Sequence, residues 1–151
     1  MIEEIKHIAK ENLSKIIALR QALHKNPELS FKEFETSKAV QEFLQKNNIS
    51  FKAGFVKTGI VAKIEGLNPE KNEVVLRADL DALPIQEENK TDYCSTNSGV
   101  MHACGHDVHT ASLLGSAIIL NKLKNKFEGT IKLIFQPGEE QLPGGAKLML
   151  E

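Results

Sequence analysis

At 151 residues, with 20 acidic side chains against 19 basic ones, the chain is long enough for one domain with its own core. No basic block interleaves with aromatics, which argues against a nucleic-acid partner, and no run approaches the ~20 apolar residues of a membrane span. Two cysteines are too few for a disulfide scaffold, and MIEEIKHIAKENL lacks a signal peptide's apolar centre, so a cytoplasmic chain without a membrane partner is expected.

The first predicted element is a helix. Ile2, Ile5, Ala9, Leu13, Ile16, Leu19 and Leu23 recur at steps of three and four, and Asn26-Pro27 ends the pattern. A second helix has a start signal in LSFKEF, where Ser30 and Glu33 have capping-box spacing and Leu29 can staple onto Phe34. Strands are predicted at ISFKAGF, TGIVAKIEG and EVVLRAD, the last resembling an interior strand, with a hairpin link at Asn68–Asn72 between the latter two. From Pro84 to Val100 no period is visible, and a loop of that length in a compact domain is more often functional than idle. Val108 to Lys124 reads as a largely buried helix, and Gly129 to Gln136 as another interior strand. A helical pattern opens at Ala146 and stops within two turns at Glu151. The order implies an α/β layered domain with helices flanking a sheet.

Three polar clusters follow predicted strands or precede the buried helix: RADLDALP, HACGHD and QPGEE. Carboxyl ends of strands are where open α/β sheets collect ligands. Cys104 and His106, two apart, would point to one side of an extended segment and suit one Zn²⁺ or similar ion; a buried cysteine beside a capped helix start fits equally well. Cys104 as a nucleophile would need His102 or His106 as base, and both are too close in sequence for the usual spatially assembled pair. Glu139 and Glu140, being adjacent, would divide roles, one as ligand and one as general base, or are simply a solvated pair after a turn. Asp79 can orient a ligand from the strand end; Asp81, Glu87 and Glu88 read equally well as loop charges. Asp107 can cap the helix or hold an imidazole.

Taken together, RQALHKNPELSFKEFETS, RADLDALPIQE, MHACGHDVHTASLLGSA and FQPGEE resemble the M20 metallopeptidase family, in its amidohydrolase branch of hippurate, indole-acetyl-amino-acid and N-acetyldiaminopimelate-type hydrolases. The similarity runs from about Arg20 onward. It implies a zinc-peptidase-like fold with a mixed central sheet, residues 1–151 being the N-terminal part of the catalytic domain. An inserted domain that often forms a homodimer, and two further metal-binding histidines, would lie past Glu151. The resemblance further implies Cys104, His106 and Glu140 as metal ligands, Glu139 as general acid/base, and Asp79 as the aspartate that orients the site, beside Arg77. The implied cofactor is a pair of divalent ions, Zn²⁺, Mn²⁺, Co²⁺ or Ni²⁺. The implied substrate is an N-acyl amino acid or short peptide-like molecule, cleaved at its amide by metal-activated water. The alternative expectation is a catalytically incomplete truncated product, a metal-binding remnant or half of a split enzyme.

Overall fold

A computed structural model describes residues 1–151. Helix α1 (Ile2–Lys25) stops at Asn26, one residue before the proline, as the steric rule for residues preceding proline requires. Helix α2 (Phe34–Lys46) buries Val40, Phe43 and Leu44.

The predicted capping box does not form. Neither the Ser30 nor the Glu33 side chain bonds to the first turn of α2: the Ser30 hydroxyl donates to Asp81, and the Glu33 carboxyl turns inward with no exposed surface. Glu28 takes over instead, its carboxylate accepting from the Glu35 and Thr36 amides and from the Thr36 hydroxyl. Orphan amides at a helix start need an acceptor, and a side chain from the preceding turn serves as well as a local one. The hydrophobic staple is absent too, since Phe34 is 56% exposed.

Strands β1 (Ser50–Phe55), β2 (Gly59–Glu65), β3 (Glu73–Asp79) and β4 (Thr130–Gln136) form one mixed sheet in the order β1-β2-β4-β3. Strands β1 and β2 make an antiparallel hairpin, and β4 pairs antiparallel with β2 and parallel with β3. The hairpin expected at Asn68–Asn72 is therefore not made, because β4 inserts between β2 and β3. Strand β3 is an edge and not an interior strand, with Val74 and Val75 about half exposed.

Helix α3 (His106–Lys122) bridges β3 and β4 and packs on α1 and β3. The core between the helices and the sheet has Val40, Leu44, Ile60, Leu114, Leu133 and Phe135 fully buried, each worth roughly 1.5–3 kcal/mol of transfer free energy. A short helix, α4 (Gly145–Leu150), follows the loop leaving β4. No helix is long and apolar enough to cross a membrane.

This topology gathers several strand ends in one place. Asp79 pairs with Gln136 in the parallel register, so β3 and β4 release their chains at the same sheet edge. Strand β2 runs the other way, which brings Thr58 and Gly59 to that edge as well.

Candidate metal centre

Three segments converge at this edge: Asp79 to Asp81 leaving β3, Cys104 to His106 entering α3, and Glu139-Glu140 leaving β4. Cys104 and His106 do not lie on an extended segment. The chain turns through Gly105 at φ +80, a left-handed conformation that glycine adopts without steric cost, and His106 is already the first residue of α3. The turn still brings the two side chains together. Donor atoms of Cys104, His106 and Glu140 lie within 4.8 Å of one another.

His106 is only 3% exposed. Its Nδ1 lies 2.8 Å from the Asp81 main-chain oxygen and 3.4 Å from Asp81 Oδ1. That leaves Nε2 facing the carboxylates, 3.9 Å from both Glu139 Oε2 and Glu140 Oε1. A ring held at one nitrogen by a carbonyl and a carboxylate presents the other as a fixed ligand. Asp81, fully buried, also accepts from Ser30 Oγ at 2.6 Å and from the Glu140 amide at 2.9 Å.

Burial works against charge on His106, but Asp81 on its Nδ1 and the nearby Asp79 outweigh it and push the imidazole up to about 9. Burial likewise opposes ionisation of Asp81, yet bonds from His106, Ser30 and the Glu139 and Glu140 amides carry it down to about 2. The Cys104 thiol is raised, first by its hydrogen bond to Glu140, then by burial and the surrounding carboxylates. A raised thiol is a weak nucleophile, which disfavours the thiol-nucleophile reading.

The donor set fits a divalent cation. A tetrahedral Zn²⁺ with bonds of about 2.0–2.3 Å spaces its ligand atoms about 3.3–3.8 Å apart, so small side-chain rotations bring the three donors into range. The negative field of Glu139, Glu140, Asp79 and Asp81 supplies the attraction. The neighbouring glutamates also differ: the Glu140 side chain is 22% exposed and that of Glu139 is 39%. Glu140 is thus the inner of the two beside Cys104 and His106, and Glu139 is the more accessible to water.

Asp79, His106 and His109 form a second donor group. His106 has only Nε2 to give, so it can serve one group at a time. The Asp79 carboxylate bonds to Arg77 at 2.9 Å and lies 3.8 Å from His109 Nδ1. The contact on the His106 ring comes from Asp81, two residues beyond the aspartate that the sequence reading favoured.

Other polar side chains also have tertiary partners. Glu87 is no plain loop charge: its side chain is 3% exposed and meets His24 Nε2, while Asp107 Oδ2 meets His24 Nδ1 at 2.7 Å. Asp107 therefore holds an imidazole, that of His24, and makes no helix cap. Burial, partly offset by Asp107, lowers His102 to about 4 and keeps it neutral behind the site. Sequence reasoning passed over Glu33, His24 and Glu28 as site supports; the only signal was their place in the RQALHKNPELSFKEFETS resemblance.

Burial also raises the Glu33 carboxyl, with hydrogen bonds from Thr58, Phe31 and Gly138 only partly offsetting it. The folded chain thus holds this proton more tightly than the unfolded chain, whose value is near 4.5. The stabilisation is complete below that value and is lost as pH rises through the folded one. Wild type is expected to lose stability relative to Glu33→Gln as pH rises above about 4.5, read as the difference in their urea midpoints. A constant difference would mean that Glu33 ionises alike in the folded and unfolded chains.

A model of peptidase family M20/M25/M40 matches residues 75–151. Over 100% of its length the chain is 49% identical to thermostable carboxypeptidase 2 of Saccharolobus solfataricus, covering 39% of that protein. Over 99% of its length it is 47% identical to an N-acyl-L-amino acid amidohydrolase of Geobacillus stearothermophilus, covering 40%. A Bacillus subtilis crystal structure, a dinuclear metal binding peptidase from the M20 family, superposes with a TM-score of 0.86 at 42% identity, over 93% of this chain and 39% of that one. The chain thus spans about 40% of the length of these relatives.

Proposed function

Since the chain belongs to peptidase family M20/M25/M40, we propose that it supplies the cation-binding and proton-transferring side chains of an amidohydrolase that releases an amino acid from an N-acyl amino acid. The observation that carries this reading is the convergence of Cys104, His106 and Glu140 with Glu139 free beside them. The names of the relatives support the substrate class.

Cys104, His106 and Glu140 would hold the divalent cation, drawn from Zn²⁺, Mn²⁺, Co²⁺ and Ni²⁺, with a second ion needing further donors. A bound cation of this kind supplies Lewis acidity toward a carbonyl oxygen and lowers the pKa of water. Asp81 keeps the proton on His106 Nδ1 and so fixes Nε2 as the ligand atom. Glu139 accepts the proton of the attacking water and passes it to the leaving nitrogen as the amide breaks.

A second reading has its own support. Three donors serve one ion, whereas the Bacillus subtilis neighbour is dinuclear. In that reading the 151 residues bind a cation and turn nothing over.

Titration with Co²⁺ and assay of N-acetyl amino acids test both. Wild type should show thiolate-to-cobalt absorption that Cys104→Ser lacks and Glu139→Gln keeps. Hydrolysis that falls by about 10²–10⁴ in Glu139→Gln supports the first reading. Cobalt binding without hydrolysis supports the second, and cobalt binding indifferent to Cys104 overturns both.

A further inference from the structure

The loop that carries Glu139 and Glu140 is held from outside by two buried carboxylates. Asp81 accepts from the Glu140 amide on one side of Glu139. On the other side Glu33 Oε1 accepts from the Gly138 amide at 2.8 Å and from the Phe31 amide at 2.8 Å, while Glu33 Oε2 accepts from Thr58 Oγ1 at 2.7 Å. Glu33 is fully buried, and all three of its partners are donors. Those partners belong to three separate segments: the α1–α2 connection, the β1–β2 turn and the exit of β4.

Backbone geometry shows how closely these segments are pressed together. Gly138 has φ +58, and a Cβ there would stand 2.4 Å from the Phe31 ring. Phe31 itself has φ +62, a conformation in which an aromatic residue is strained, and its amide is tied to Glu33. The Gly138 carbonyl accepts from the Gly145 amide at 2.9 Å. A strained phenylalanine and a buried carboxylate are both costly, and both act on Gly138, the residue before Glu139.

We infer that Glu33 is a positioning residue for the carboxylate loop, setting the Gly138 main chain so that Glu140 reaches Cys104 and His106. The inference rests on the reading of those three residues as cation donors. Glu33 touches neither cation nor substrate and acts through Gly138. What it supplies is a hydrogen-bond acceptor at a fixed place; its charge is incidental. Glutamine can keep both amide bonds through Oε1, with the Thr58 hydroxyl turning to accept. Aspartate keeps the charge but withdraws the acceptor from Gly138.

The test is Co²⁺ affinity and the thiolate-to-cobalt band in the full 151-residue chain, at a temperature where circular dichroism shows each variant folded. Glu33→Ala and Glu33→Asp should bind about 10- to 100-fold more weakly, the scale for losing an outer hydrogen bond on a metal site, and with altered band intensity. Glu33→Gln should stay within about threefold of wild type. Val40→Ala, a core truncation on α2 away from the loop, should lower thermal stability and leave cobalt affinity unchanged. Should Glu33→Ala fail to fold, Glu33→Asp decides. Wild-type affinity in Glu33→Asp overturns the inference, as does a Glu33→Gln as weak as alanine or a Val40→Ala as weak as either. A band that Cys104→Ser abolishes and the Glu33 variants leave untouched would sink the inference alone and leave the donor assignment standing. A wild type with no band sinks both.

Discussion

Asp81→Ala is expected to lower the stability of the chain by about 3–5 kcal/mol and to weaken Zn²⁺ binding about 10- to 100-fold. The stability loss comes from orphaned partners: the Ser30 hydroxyl and the Glu140 amide lose their acceptor, and the buried His106 ring loses the carboxylate that supports its charge. The affinity loss comes from freeing the His106 ring and the Glu140 main chain together. Acid should mimic the substitution. The folded value near 2 lies below the ordinary 3.8, so the contribution is present above about 3.8 and is lost as pH falls through about 2. Urea unfolding of wild type and Asp81→Ala, at neutral pH and at acid pH, should therefore converge on acidification, with calorimetric Zn²⁺ titration as the second readout. A neutral-pH loss under about 1 kcal/mol would mean that the Asp81 carbonyl alone holds His106.

Gly145→Ala should be the most damaging single methyl addition near the site. An added Cβ would fall 1.6 Å from the Pro137 carbonyl oxygen and 2.7 Å from its carbon. Both are backbone atoms, so no rotamer can relieve the overlap and the loop from Pro137 to Gly145 must shift. A stability loss of about 1–3 kcal/mol is expected from overpacking. Zn²⁺ affinity should fall at least about tenfold, because the displaced loop carries Glu140. Gly99→Ala serves as the comparison. Gly99, unlike Gly145, has positive φ, at +74, with open space around its missing Cβ, so it should incur only the conformational cost, about 1 kcal/mol. Equal Zn²⁺ affinity in Gly145→Ala and wild type would contradict the idea that this loop must be placed accurately.

Local signals in the sequence are reliable where the physics is local. Asn26-Pro27 ends α1 by steric exclusion, and the alternation of TGIVAKIEG suits a strand with one face on the core. Strand order is out of reach, because whether β2 pairs with β3 or admits β4 depends on residues 57 positions away along the chain. Ser30 and Glu33 have the spacing of a cap, but tertiary partners take both side chains. Cys104, His106, Glu139 and Glu140 stand out by type and order, and the structure gathers all four. The choice between Asp79 and Asp81 is different. Both lie near His106, but that Asp81 contacts its Nδ1 turns on how the chain leaves β3, which no periodicity resolves. His24 and Glu87 sit 63 positions apart and meet only through the packing of α1 on α3 and the long loop.

The parallel pairing of β3 with β4 also dictates an order of events during synthesis. Strand β3 emerges from the ribosome early but has no partner of its own until Thr130–Gln136 follow, since Glu73 pairs with Thr130 and Asp79 with Gln136. The β1–β2 hairpin can close at once, whereas β3, with its Val74, Val75 and Leu76, must wait while all of α3 is translated. During that interval an apolar strand has both edges free, the condition under which nascent chains aggregate or recruit chaperones. Cys104, His106 and Glu140 therefore come together only once β4 has slid between β2 and β3.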